Sequence, residues 1–349
     1  MKPHKRVLGI AILTVAVSPV VSDFASAQSV GRSYLLIVSG LGGEPAYRDQ
    51  FYESSIALLE AASSRFRLPA EDIWYLGEEP ERDPERIRGK STKEAVENAL
   101  TEIAGRVEPG DQVFIILIGH GSYRSGESRF NLPGPDITAD EFATLLERFD
   151  AQQIVFVNTA SASGGFIQAL SGENRVIVTA TKSGMERNET LFGKYFIEAF
   201  AGEGADVDKD KRVSVLEAFE YARLHVAEAY EEGNQLQTEH AVLDDNGDKK
   251  GAERPLETEK PSGDGVVAKL SFMMSGTIPG AAGSEAGVPE DPELVALYRD
   301  KLALEQRIVA LKLQKETMSL DLYFEELEKL LVELARKNRA IGAMAEQPQ

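Results

Sequence analysis

The sequence predicts an α/β fold: a doubly wound, mostly parallel sheet with helices on both faces, followed by a long C-terminal helix. Three observations predict it. Five short apolar runs recur along the chain, and most end in Gly, Ser or Asn. The segments between them space their apolar residues for helices, and strands alternating with helices build βαβ units. After Pro292 the composition shifts to Leu, Glu, Lys and Ala, with no Pro or Gly from Glu293 to Ile341.

Taken in order, Tyr34–Ser39 is an apolar run leading into Gly40, Gly42 and Gly43, hence a buried strand ending in a loop. Tyr52–Phe66 has helical spacing at Ile56, Leu59 and Ala62. Asp72–Leu76 is a second strand, with Trp74 expected in the core. Glu78–Gly89 is charged and reads as an exposed loop. Ser91–Val107 is a helix, and Val113–Ile118 a third strand ending in Gly-His-Gly. Thr138–Phe149 is a helix. Gln153–Val157 is a fourth strand, ending in Asn158-Thr-Ala-Ser-Ala-Ser-Gly-Gly165. A helix starts at Phe166, and Arg175–Thr179 is a fifth strand. Leu191–Ala201 and Leu216–Glu231 are helices, and Val266–Phe272 is a late edge strand. Residues 245–265 read as a surface loop.

The domain boundaries follow from composition. Residues 1–27 read as a signal peptide: a basic start at Lys2, Lys5 and Arg6, an apolar run from Val7 to Val21, and a small-x-small site at Ala25-Ser-Ala27. Residues 28–274 form the α/β domain, 275–292 a Gly/Pro/Ala/Ser linker, and 293–342 the long helix. The expected location is periplasmic or secreted, with no membrane span after cleavage. The formal net charge of -19 disfavours a nucleic-acid partner, because an acidic surface repels phosphates. The absence of cysteine excludes disulfides, thiolate metal sites and a thiol nucleophile.

In doubly wound sheets, functional groups sit just past the carboxyl ends of strands. His120 follows the third strand, and Ser161 the fourth. A His beside a hydroxyl or thiol is the elementary base–nucleophile pair, and Gly121 offers a backbone N–H as an oxyanion donor. Ile118-Gly-His-Gly-Ser122 and Thr159-Ala-Ser-Ala-Ser-Gly164, in this order and 41 residues apart from His120 to Ser161, resemble the motifs of the legumain, gingipain and caspase superfamily of cysteine peptidases. The bacterial legumain-like branch is the nearest in pattern, and the resemblance runs from Tyr34 to about Phe272. It implies a caspase-like sheet, a catalytic base at His120 and a nucleophile position at Ser161.

The departures from that pattern set the functional expectation. Ser161 stands where the family has Cys, and Thr159 where an acidic residue is usual. A thiolate forms near neutral pH, whereas a hydroxyl needs an oriented base. Two readings follow: a catalytically inactive homologue acting as a binding or assembly module for a peptide or protein partner, or an active Ser161–His120 hydrolase. No acidic partner for His120 is evident in the sequence.

Two further expectations concern Ca2+ and self-association. Asp206, Asp208, Asp210, Arg212, Ser214 and Glu217 fall at the spacing of an EF-hand loop, with side-chain oxygens at positions 1, 3, 5, 9 and 12. Lys211 replaces the usual glycine, and Ser214-Val-Leu-Glu217 is equally a capping box that needs no metal. Asp244–Asp248 reads as a turn, and His225 and His240 as structural or exposed residues. In the C-terminal segment Leu304, Ile308, Leu311, Lys315, Met318 and Leu322 follow 4-3 spacing, and Leu320, Phe324, Leu327, Leu331, Leu334, Asn338 and Ile341 repeat it in a shifted phase. This pattern predicts a coiled coil and self-association through 293–342, or a helix folded back on the domain.

Overall fold

The computed structural model describes residues 31–207, 209, 212–256, 263–275, 297, 300, 301, 304, 307, 308, 311 and 318–345. Its centre is a seven-stranded sheet. The strands are β1 (Ser33–Ser39), β2 (Ile73–Gly77), β3 (Gly89–Lys90), β4 (Gln112–Ile118), β8 (Gln153–Asn158), β9 (Arg175–Thr179) and β10 (Val242–Asp244). They lie in the order β10-β9-β8-β4-β1-β2-β3. All neighbours are parallel except β10, which runs antiparallel to β9 at the edge.

The central strands β1 and β4 are buried at every residue. That is why they read as unbroken apolar runs rather than alternating ones. Successive side chains point to opposite faces. Leu35, Ile37, Phe114, Ile116, Val155 and Val157 pack with Phe51, Phe192, Phe196 and Phe219 on one face. Leu36, Val38, Val113, Ile115, Leu117 and Phe156 pack with Val96, Leu100, Phe142 and Phe166 on the other. The first face is covered by α1 (Pro45–Glu60), α5 (Phe192–Ala201) and α6 (Val215–Glu232). The second is covered by α2 (Lys93–Ala104), α3 (Ala139–Leu146) and α4 (Gly165–Leu170). Thr92 caps α2, and Thr138 opens α3 with a reciprocal capping box to Glu141.

A small antiparallel sheet of β5 (Gly121–Arg124), β6 (Glu127–Phe130) and β7 (Ile137–Thr138) follows directly on β4. Ser125 and Gly126, both at positive φ (55° and 87°), make the two-residue turn between β5 and β6. The sequence pattern assigns nothing to this stretch, because its strands are short and carry polar, half-exposed residues.

The late edge strand expected over Val266–Phe272 is not formed. Ala268–Leu270 is a single 3-10 turn, and Phe272 contributes one isolated bridge to Ser214. The edge position belongs to β10 instead. The buried Asp245 carboxylate accepts the N–H groups of Gly265 (2.9 Å) and Ala268 (2.7 Å), and this fixes the turn. Within Asp244–Asp248, Gly247 N–H donates to Asp244 Oδ1 and Asp248 N–H to Asn246 Oδ1. These are turn-forming side-chain bonds.

The C-terminal helix, here α7, spans Leu320–Ala345. The single helix expected from Glu293 to Ile341 is interrupted, since Met318 and Ser319 are non-helical. The Ser319 carbonyl accepts the Tyr323 N–H at 2.9 Å and starts α7. Leu304, Ile308 and Leu311, at helical positions before the break, bury against Tyr323 and Leu330. Lys337 pairs with Asp300. The shifted heptad phase therefore coincides with a break in the helix at Met318–Ser319. Among the described residues, Leu304, Ile308 and Leu311 thus pack with α7 in a cluster of their own.

Candidate active site

The chain winds outward from β1 to β2 and β3, then returns to the other side of β1 with β4. The carboxyl ends of β1 and β4 thus form the switch point where doubly wound sheets place ligands. His120 follows β4 there. Its ring sits edge-on to Tyr47 and Phe51 of α1, at centroid distances of 4.5 and 5.0 Å. Burial lowers the His120 pKa; the nearby Glu189 carboxylate and a hydrogen bond to the Gly42 backbone oppose this. Tyr47 in turn donates its hydroxyl to Glu189 Oε2 at 3.0 Å.

Ser161 lies on the loop between β8 and α4 and is 7% exposed. Its Oγ donates to the Gly121 carbonyl at 3.3 Å. The β5–β6 register explains why Gly121 is available. Asn131 N–H donates to the His120 carbonyl, and Gly121 faces Phe130 in the ladder. Gly121 and Phe130 are therefore a non-hydrogen-bonded pair, and the N–H and C=O of Gly121 point away from β6. Gly121 packs so closely on Ser161 that a Cβ would collide with the Ser161 carbonyl oxygen. His120 and Ser161 thus stand on neighbouring loops at the carboxyl edge of the sheet, joined through Gly121. Among the described residues, no hydrogen bond links Ser161 Oγ to His120.

Ala162 holds a φ of 54° although it is no glycine. This conformation costs about 1 kcal/mol. It is held by the Ala162 N–H, which donates to the Glu186 carbonyl at 2.7 Å. The Glu186 carboxylate in turn accepts Lys182 N–H (3.1 Å) and His240 N–H (3.1 Å) and meets His240 Nδ1 at 2.6 Å. Residues 182–190 therefore fold over the Ser161 turn. Gly164 permits this, since a Cβ there would strike the backbone of Lys182 and Ser183. Thr159 faces inward: its hydroxyl donates to the Leu117 carbonyl at 2.9 Å, and its own carbonyl accepts from Thr190 Oγ1 at 2.7 Å.

Tyr47, Glu186 and Glu189 were missed in the sequence. Glu189 lies in a polar loop past the carboxyl end of β9, and that position was the only signal for it. His225 Nδ1 lies 2.8 Å from Glu228 Oε2, beside Tyr195 and Tyr221 and away from this site.

Of the six residues read as a calcium loop, Asp208 and Asp210 lie outside the described residues. Glu217 is already engaged: Oε1 accepts Val207 N–H at 3.1 Å, and Oε2 accepts Ser214 N–H and Oγ–H at 2.9 and 2.8 Å. Ser214 Oγ accepts the Glu217 N–H in return. The capping box accounts for both residues. The Arg212 guanidinium lies over the Phe272 ring, 4.1 Å from its centroid. Among the described residues, no three acidic or His side chains gather as a metal site.

Next to His240, Glu239 is 1% exposed and accepts the N–H groups of Leu191 (2.8 Å) and Phe192 (3.1 Å) at the start of α5. Burial pushes its carboxyl from 4.5 up to about 7. The folded state therefore holds a proton that the unfolded state releases between these values. The stabilisation from this group is full below the unfolded pKa and is lost as pH rises through about 7. The thermal midpoint is expected to fall between pH 5 and 8, with a shallower fall in Glu239→Gln. An identical pH slope in both proteins would refute this assignment.

The sheet order, the β4-His loop and the β8-Ser loop define a caspase/legumain-like α/β domain. Residues 90–244, from β3 through β10, match the model of the Peptidase C13 family. His120, Gly121 and Ser161 lie within the bounds of that segment. Two solved structures are similar. The initiator caspase Dronc of Drosophila is 11% identical, with a TM-score of 0.41 over 72% of this chain and 96% of that one. A protein of Geobacter sulfurreducens is 9% identical, with a TM-score of 0.38 over 61% of this chain and 92% of that one. No curated protein matches the chain. Among the described residues, no helix is long and apolar enough to cross a membrane.

Proposed function

We propose that the protein is an exported, catalytically silent relative of the legumain-type peptidases that acts as a binding or assembly module for a peptide or protein partner. One observation carries the reading: the Ser161 hydroxyl proton is given to the Gly121 carbonyl, while the His120 ring is turned toward Gly42 and wedged against Tyr47 and Phe51. A hydroxyl attacks only if a base takes its proton during the step, and here the proton points at a backbone carbonyl. The outward-facing Gly121 backbone at the open edge of β5 suits an extended peptide, which needs hydrogen-bonding groups and shape but no nucleophile. Export rests on the signal-peptide pattern of residues 1–27, which lie outside the described residues.

The second reading, a serine hydrolase, is favoured by Glu189. It gives His120 the acidic neighbour that the sequence alone did not reveal. A fluorophosphonate probe separates the two readings. The proposal expects no labelling of the chain from Gln28 to Gln349. Labelling that disappears in both Ser161→Ala and His120→Ala would establish the hydrolase instead.

A further inference from the structure

The segment that folds over the Ser161 turn is fixed at both ends and fastened once in the middle. At its amino end Thr181 Oγ1 accepts the Gly164 N–H at 3.0 Å and lies 3.1 Å from Ser163 Oγ. At its carboxyl end Thr190 Oγ1 donates to the Thr159 carbonyl, and Glu239 accepts the N–H groups of Leu191 and Phe192. Between these anchors, among the described residues, one main-chain hydrogen bond joins the segment to the turn: Ala162 N–H to the Glu186 carbonyl. Side chains add the Tyr47 bond to Glu189 and the Tyr123 ring against Gly184. Met185, Arg187, Asn188 and Glu189 are exposed. Little apolar burial therefore holds the middle down, and such segments open locally at low cost.

The fastening depends on one side chain. The Glu186 carboxylate holds His240 at two points, the N–H (3.1 Å) and Nδ1 (2.6 Å), and turns back on the Lys182 N–H. These bonds keep the Glu186 main chain where its carbonyl reaches Ala162. Ala162 pulls the other way, because an alanine at a φ of 54° leaves the left-handed region once it is free to do so. Strain on one side and a clasp on the other define two states. In the closed one Ser161 is 7% exposed and its Oγ rests on the Gly121 carbonyl. With the clasp undone, Ala162 relaxes to negative φ, and the adjoining Ser161 moves off Gly121.

We propose that residues 182–190 form a strap that gates Ser161 and the Gly121 edge, with the Glu186–His240 contact as its clasp. The gate follows from the Ser161 turn alone and holds for a binding module and for a hydrolase alike.

Hydrogen–deuterium exchange of the chain from Gln28 to Gln349 reads the gate through the Ala162 amide. Glu186→Ala should speed exchange over residues 159–166 by about tenfold, the effect of losing the carboxylate bonds, and leave β4 and α1 unchanged. His240→Ala should act in the same direction and by less, since the main-chain N–H at 240 remains. Ala162→Gly removes the strain without touching the clasp. It should slow exchange by about threefold after correction for intrinsic rates, both alone and with Glu186→Ala. A Glu186 that merely supports the loop gives no such rescue. Access to the turn is the second readout. With Ser161→Cys, a maleimide carrying polyethylene glycol should label faster in the Glu186→Ala chain and slower again once Ala162→Gly is added. Unchanged exchange in Glu186→Ala, a loss of protection that spreads to β4 and α1, or an Ala162→Gly that slows neither exchange nor labelling would each overturn the proposal.

Discussion

Ser161→Cys is expected to create a thiol that iodoacetamide alkylates at neutral pH faster than an ordinary cysteine, with its pH profile displaced to lower values. The wild type contains no cysteine, so all labelling reports this one position. An unperturbed thiol has a pKa of about 8.5, and an adjacent imidazole that can accept its proton lowers this value. The sulfur is larger and more easily ionised than the hydroxyl it replaces, so it is less bound to the Gly121 carbonyl that holds Ser161 Oγ. His120 works against its own burial, which disfavours the imidazolium, and is helped by Glu189. His120→Ala in the cysteine background should therefore slow alkylation at pH 7 by about tenfold, the effect of moving a thiol pKa by about one unit. Glu189→Gln should act in the same direction and by less, because it removes only the charge that favours protonated His120. If the His120→Ala background reacts at the same rate and with the same pH profile, the two loops do not form a functional pair, and the likeness to a peptidase site is only topological.

The second large effect lies at the opposite, amino-terminal edge of the sheet. Asp72 is fully buried just before β2, and it bonds Arg32, which precedes β1, and Arg106, which follows α2 (3.2 Å). Burial raises the Asp72 pKa, and the two guanidinium groups oppose this. Removing the carboxylate with Asp72→Ala deprives two guanidinium groups of their buried partner. Breaking a buried ion pair costs about 3–5 kcal/mol. Arg32 and Arg106 are 37% and 32% exposed and can rehydrate, so the loss should fall at the lower end of that range. Urea unfolding is expected to show a lower midpoint with an unchanged slope. A midpoint within experimental scatter of the wild type would show that the cluster is not needed for stability. Because the site is at the other end of the strands, the Ser161→Cys labelling profile should survive Asp72→Ala below the new midpoint.

Much of the fold was legible in the sequence for a simple reason. Strands buried on both faces must be apolar at nearly every position, and β1, β4, β8 and β9 are written that way. His120 and Ser161 were legible because they directly follow two such runs. The small sheet β5–β7 was not: its strands are two to four residues long and mix Ser, Arg and Glu with single apolar residues. Val266–Phe272 looked like a strand by composition, yet Asp245, just past β10, takes the N–H groups of Gly265 and Ala268 and turns it. The C-terminal phase shift was visible, but its meaning as a helix break at Met318–Ser319 was not, because either phase taken alone reads as continuous helix.

The sequence by itself determined the α/β class, the two loops that carry His120 and Ser161, the absence of any thiol and the apolar stripes of the C-terminal segment. These are properties of residues close in the chain, set by strand and helix periods and by side-chain chemistry. Tertiary structure decided the rest: that Tyr47, from α1, and Glu189, from beyond β9, meet at His120, that Glu186 closes over the Ser161 turn, and that the Ser161 hydroxyl points at Gly121. The Ser161–Gly121 contact joins positions 40 residues apart, and the Tyr47–Glu189 contact positions 142 apart. They exist only once burial of the sheet on both faces has fixed the strand order, and no local pattern encodes a distance across that sheet.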